Sequence, residues 1–185
     1  MSARPSLRRT DKAMDEARAR ALLEAGFSGR LATVGADGYP YCVPMLYVVM
    51  DGALYVHGTG AEGHLRRNVA HDPHICFEVD EPGEVYPYGR FECDSTLAFK
   101  SVILFGRIAV VEEIETKRRF FTALMRKYAR ADWQRPKDFF PRIGEIALYR
   151  IAIERLTGKE TPLPDPAERW PALDRTKSPG AKPPR

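Results

Sequence analysis

Two hydrophobic periods run along this chain. Met14, Ala17, Ala21, Leu22 and Ala25 recur at helical spacing behind Thr10 and Asp11, either of which suits an N-cap, and Gly26 follows as a stop. The spacing predicts an amphipathic helix over residues 11–25. Strand-like runs follow. Gly29–Gly35 forms a short strand that turns at Ala36-Asp37-Gly38, and Tyr39–Met50 is rich in Tyr, Val and Pro. Pro40 and Pro44 lack an amide hydrogen, which requires an edge or bulge position. Asp51-Gly52 separates Tyr39–Met50 from the return strand Ala53–His57, and Asp-Gly suits the type I′ hairpin turn.

A Gly-rich bend, Gly58–Gly63, then leads into a short helix over His64–Ala70. His74–Asp80 alternates as a strand. Residues 81–94, with Pro82, Gly83, Pro87 and Gly89, read as a long loop. Ala98–Glu112 is a long strand with Gly106 as the place for a bulge. Phe120, Phe121, Leu124, Met125 and Tyr128 stripe a helix over 115–130, residues 131–141 form a loop, and Glu145–Leu156 alternates as a final strand. The sum is five to seven hairpin-linked strands with two or three helices. That predicts a mainly β fold, an antiparallel barrel with flanking helices.

At 185 residues and 44% hydrophobic, the chain has the size and composition of about one globular domain. The division predicted is a basic arm over 1–9, a barrel domain over 10–160 and a Pro-rich tail over 161–185. Within that tail Trp170 is expected to dock on the domain. The net charge of +4 is not that of a dedicated nucleic-acid binder. Three cysteines cannot pair completely, no apolar run reaches the ~18 residues of a membrane span, and the start has no signal-peptide core. The expectation is a cytoplasmic protein with no membrane and no nucleic-acid partner.

Candidate chemistry is sparse. His57, His64, His71 and His74 lack the spacing of a helical zinc site, and no metal site is expected. Gly58-x-Gly60-x-x-Gly63 matches a dinucleotide fingerprint, but no βαβ unit surrounds it. Its physical content survives: glycines let backbone amides approach an anion, and a helix start adds positive charge. Thr59–Arg67 is thus either an anion site or a plain turn. Arg30 opens an otherwise apolar strand, either to hold a phosphate or as a surface arginine with an exposed tip. Lys100-Ser101 is a cation and hydroxyl pair, or ordinary strand alternation.

Five segments in order carry a family resemblance. They are Gly29-Arg-Leu-Ala-Thr33, Val43-Pro-Met-Leu-Tyr47, Leu54-Tyr-Val-His57-Gly58, Phe99-Lys-Ser-Val-Ile-Leu-Phe-Gly106 and Ile153-Glu-Arg-Leu-Thr-Gly-Lys159-Glu160. Arg8-Arg9 before the first helix and Arg169-Trp170 near the end add to it. The chain resembles the pyridoxamine 5′-phosphate oxidase-related flavoproteins, and most nearly their 5-nitroimidazole resistance branch. The resemblance implies an FMN-binding split β-barrel that works as a homodimer with the flavin at the subunit interface. It implies flavin contacts at Arg30, Leu31, Ala32 and Thr33, at Thr59, Gly63 and His64, and at Lys100, Ser101 and Val102. Pro44, Tyr47 and Val102 would wall the ring. His57 falls at the branch's active-site histidine and would orient or protonate a small electron-poor substrate of the nitroaromatic type. The plain alternative for His57 is a strand-end histidine satisfied by a carbonyl. The basic residues usual in the oxidase's bend are absent, with His64 in an equivalent place. Pyridoxamine phosphate oxidation itself is therefore not expected. The rival function is a flavin- or haem-binding carrier or sensor without turnover, with His57 or His64 as haem ligand.

Overall fold

The computed structural model describes residues 7–89 and 91–169. Among the described residues the first element is a single 3-10 turn at Thr10–Lys12, and Ala13–Met14 (β1) pairs with the last strand. Helix α1 then runs over Glu16–Ala25 and not from residue 11. Two contacts set that start. The Asp15 carboxylate accepts a hydrogen bond from the Arg18 amide at 2.8 Å, as an N-cap does, and pairing with Gly158 and Lys159 holds Ala13–Met14 extended, with Lys12 donating to Thr161 Oγ1 at 3.0 Å beside them. Ala19, Leu22 and Leu23 form the buried stripe.

Gly29–Val34 (β2) and Pro40–Met45 (β3) form the first hairpin, and Tyr47–Met50 (β4) and Ala53–Thr59 (β5) the second. The run 39–50 is therefore two strands broken at Leu46. Both prolines lie on β3, an edge strand of the sheet, where their missing donors face no partner. The Asp51-Gly52 turn has φ of 52° and 71°, the pair of positive values that a type I′ turn needs. Helix α2 covers His64–His71.

Of the expected loop over 81–94, residues 81–87 are strand, and the described residues from 88 to 94 form the turn that follows. Strand β6 continues over His74–Pro87 and pairs with Ser95–Val111 (β7) out to Pro87↔Ser95. The register slips between Pro82, opposite Phe99, and Val85, opposite Leu97, so one irregularity sets Gly83 and Glu84 against Ala98 and the ladder resumes beyond it. Helix α3 covers Ile114–Tyr128, Ile146–Thr161 forms β8, and a last turn of helix, α4, spans Pro166–Arg169. Trp170 lies outside the described residues.

The strand order is β3-β2-β6-β7-β8-β5-β4, antiparallel throughout, with β1 on β8. The sheet curls around one apolar core built from Leu31, Leu54, Val56, Phe77, Val102, Leu104 and Ile151, which α1 closes. This is the split-barrel architecture. A second, smaller core lies on the other face of β5 and β8, where Tyr55 and Leu148 meet Phe120, Phe121 and Leu124 of α3.

A bulge does occur at Gly106, but its extra residue is Glu154 of β8: Phe105 faces Arg155 while Gly106 faces Ile153. A Cβ at Gly106 would lie 2.3 Å from the Ala152 carbonyl oxygen. Backbone cannot yield there as a flexible side chain would. Gly106→Ala is expected to destabilise the fold by about 1–3 kcal/mol, lowering Tm by roughly 2–4 °C for each kcal/mol. An unchanged melting curve would show that the bulge relaxes freely.

Candidate functional site

The expected site residues fall into three groups. The first sits at a cleft where the β2–β3 turn meets the start of α2. The cleft encloses about 400 Å³, inside the ~300–1,000 Å³ range of small-molecule sites. Tyr41, His64, Arg67 and Asn68 line it, together with the turn residues Gly35–Asp37 and Tyr39–Pro40. The Gly63 backbone caps α2, and the His64 ring stacks on Tyr41 with centroids 5.3 Å apart. Behind this wall, Asn68 Nδ2 donates to the buried Thr33 Oγ1 at 3.0 Å and ties α2 to β2. Thr33 is thus a strut of the cleft, with its hydroxyl already used. Thr59 ends β5 in an exposed position, paired with Ile146, just before the bend.

Asn68→Ala should leave Thr33 without its buried partner at a cost of about 1–3 kcal/mol. It should also loosen the cleft, read as faster hydrogen exchange at α2. Stability within experimental error of wild type, with unchanged exchange, would count against the strut.

The second group lies on the outer face of β2, β3, β6 and β7. Arg30 does not wait there for an anion. Its Nη1 is 2.5 Å from Asp80 Oδ1 and 3.4 Å from Glu78 Oε2, across the β2–β6 ladder. The side chain is 45% exposed, so this pairing stabilises by only ~0.2–1 kcal/mol and can be exchanged. Burial and the neighbouring Asp80 raise the Glu78 pKa, and Arg30 opposes them. Ala32, Pro44 and Ser101 share this face: Pro44 is opposite Arg30, and Ser101 opposite Asp80 and Lys159. Lys100 points away from it and reaches Glu81 at 3.5 Å.

Three expected contacts are core residues instead. Leu31 and Val102 are fully buried in the barrel, and so is Tyr47, whose hydroxyl donates to the Leu23 carbonyl. None offers side-chain surface as a ring wall. The reason is strand parity: successive side chains alternate faces, so Leu31, Tyr47 and Val102 point inward while Arg30, Ala32 and Ser101 point out.

His57 forms the third group. It is half-buried on β5, facing α3, with its ring 5.5 Å from both Phe120 and Phe121. Its Nδ1 is buried and has no hydrogen-bond partner. Burial lowers its pKa below the ordinary histidine value, so the ring is neutral at neutral pH. No carbonyl satisfies that nitrogen, which removes the plain reading of a hydrogen-bonded strand-end histidine. In the sheet order β6, β7 and β8 stand between β5 and β2, and within one chain no direct contact joins His57 to Arg30 or Ser101.

Sequence reasoning missed Tyr41 and Asn68 as cleft residues, and the carboxylate partners of Arg30. The only signal for Asn68 was its place one turn into a helix that follows a glycine bend. Cross-strand pairing of Glu78 and Asp80 with Arg30 had no local signal.

The curled antiparallel sheet and its strand order define a protein of the split-barrel class. The family model described as pyridoxamine 5′-phosphate oxidase matches residues 15–160, and the chain belongs to that family. A comparison with curated protein sequences found no match. Among solved structures, a putative 5-nitroimidazole antibiotic resistance protein from Bacteroides thetaiotaomicron is similar at 21% identity and TM-score 0.65, covering 80% of this chain and 85% of its own. A FAD-binding protein from Mesorhizobium loti is 25% identical, with TM-score 0.59, covering 81% and 97%. The FAD and heme binding protein from Mycobacterium smegmatis is 21% identical, with TM-score 0.69, covering 87% and 80%. Among the described residues no helix is long and apolar enough to cross a membrane.

Proposed function

We propose that this chain is an FMN-dependent oxidoreductase that reduces a small, flat, electron-poor substrate of the nitroaromatic type. It works as a homodimer with the flavin between the subunits. The observation that carries the reading is the cleft at α2, considered together with the family match. An FMN phosphate needs cations and amides, and the cleft presents Arg67, His64 and the helix start behind Gly63. Those residues fit the group. Arg30 does not line the cleft; its exposed pair with Asp80 could be exchanged at little cost for an anion on the outer face of the sheet. When bound, the flavin supplies the electron transfer, and the protein supplies binding and orientation.

The outer face supports the dimer. Cys42 and Pro44 are exposed, and Ala32, Cys76, Ile103 and Phe105 are only half-buried, which leaves an apolar strip across four strands. A second copy covering that strip would remove it from water. Burial raises the Cys76 pKa, so its thiol stays protonated and serves as packing surface. In this reading His57 acts as a neutral imidazole. It holds one proton for a hydrogen bond or for transfer to the substrate and is shielded from bulk water by Phe120 and Phe121.

A second reading rests on the unpartnered Nδ1 of His57 and on the Mycobacterium smegmatis neighbour, whose name includes heme: a carrier on the same barrel in which His57 would hold the haem. The visible spectrum of the purified protein separates the two. Flavin bands, with FMN released and identified by mass, support the first. A Soret band supports the second. A colourless protein that takes up neither cofactor overturns both.

A further inference from the structure

The last turns of α3 and residues 129–140 enclose a groove of about 980 Å³ that the flavin reading leaves unused. Four cations line it: Arg126, Arg130, Arg135 and Lys137. Over residues 126–138 the chain carries five Lys or Arg against two Asp, so this short segment alone holds +3 of the molecule's net +4. Arg130 is engaged by Asp132 at 3.1 Å, but among the described residues no carboxylate pairs with Arg126, Arg135 or Lys137.

Aromatic surface is interleaved with the charge. Trp133 is 46% exposed and Phe139 65% exposed, both on the groove, and the Arg135 guanidinium lies 5.8 Å from the Trp133 ring centroid. Two large aromatic rings exposed on one groove offer flat apolar surface on which a planar group can stack. The loop is also held in place. Asp138 takes a left-handed φ of 53°, which a non-glycine residue adopts at a cost, and Thr122 of α3 donates to its carboxylate at 3.3 Å. Phe140 closes the groove floor and packs on Phe121, 5.5 Å between centroids, and Phe121 in turn touches His57. The groove is thus separated from His57 by two successive aromatic rings, Phe140 and Phe121.

We propose that this groove is a binding site for a nucleotide, a planar base joined to a phosphate chain, separate from the cleft at α2. The base would stack on Trp133 or Phe139, and the phosphates would pair with Arg126 and Lys137. Stacking on an exposed ring and charge-assisted hydrogen bonds are each worth ~1–3 kcal/mol. Neither class of contact alone accounts for a groove that presents both. The volume is at the upper end of the usual small-molecule range, which suits a nucleotide better than a single inorganic anion.

The probe is adenosine 5′-diphosphate, titrated calorimetrically into the full chain carrying whatever cofactor it purifies with. Saturable binding is expected, weakened about tenfold or more in Trp133→Ala and in the Arg126→Ser/Lys137→Ser double variant, as loss of one stacking or ionic contact implies. Trp133 and Lys137 are on an exposed loop, so the folded state and the cofactor content should be unchanged. Inorganic phosphate binding as tightly as the nucleotide would overturn the proposal in favour of a simple anion patch. Loss of binding in Arg67→Ser with none in Trp133→Ala would place the nucleotide in the cleft at α2 and overturn it as well. So would a single-stranded RNA oligonucleotide that outcompetes the nucleotide on the same residues. Absence of flavin would defeat the proposed oxidoreductase and leave this test intact.

Discussion

Replacing His57 with alanine is expected to lower turnover of a nitroaromatic substrate by about 10²–10⁴-fold, the usual contribution of a positioned proton-transfer group, while the flavin stays bound. The basis is geometric. His57 presents a buried Nδ1 that no protein group satisfies, and a buried polar atom is left in that state at a cost unless it has work to do. The pH dependence follows from the direction of its pKa. Burial disfavours the charged ring, so the folded chain binds this proton less tightly than the unfolded chain does. Stability from His57 is therefore fully present above the ordinary histidine range and is lost as pH falls through it. Activity that needs the neutral ring falls on the same acid side. His57→Ala should erase both acid limbs. Parallel loss of flavin and turnover would make His57 a cofactor contact only, and unchanged turnover would remove it from the chemistry.

Phe120→Ala is expected to cost about 3–5 kcal/mol, the range for deleting a buried phenyl ring, which corresponds to roughly 6–20 °C in Tm. Phe120 is fully buried at the centre of the smaller core and touches both Phe121 and His57. Its removal leaves a cavity beside the histidine, and water entering it would return the His57 pKa toward its ordinary value. Chemical denaturation reads the first effect and an NMR titration of the imidazole the second. Loss of less than about 1 kcal/mol, with an unmoved titration, would mean that the site collapses and that α3 does not shield His57. A large loss of stability with an unmoved titration would leave α3 structurally essential but detach it from the histidine's chemistry.

Lys127 marks a contrast on the same helix. Its ammonium lies 4.0 Å from the Tyr47 ring centroid, has no hydrogen-bond partner, and is pushed down to about 8 by burial. The cation–π contact offsets part of the desolvation but does not restore the usual pKa. It has no place in the proposed chemistry, and the structure assigns it packing over Tyr47.

Local pattern alone determined much of this protein. Helical spacing marked α1, α2 and α3, Asp51-Gly52 marked a turn whose two positive φ values are seen, and the two prolines of 40–45 marked an edge strand. These are readable because each depends on residues within a few positions of one another. The family followed from five short segments in order, since backbone-close motifs keep their spacing in the chain. Tertiary structure decided the rest. Residues 81–87 became strand because the partner segment from Ser95 to Lys100 supplies hydrogen bonds that no local preference records. Tyr47, Leu31 and Val102 turned inward because register with neighbouring strands sets which face a residue takes. Arg30 met Asp80, some fifty residues away, through a ladder that only the folded sheet creates. The cleft draws Tyr41, His64, Arg67 and Asn68 from two separate elements, and His57 is shielded by Phe120 and Phe121, more than sixty residues downstream. Chemistry at such sites depends on distance in space, and distance in space is fixed by packing, which a local pattern does not contain.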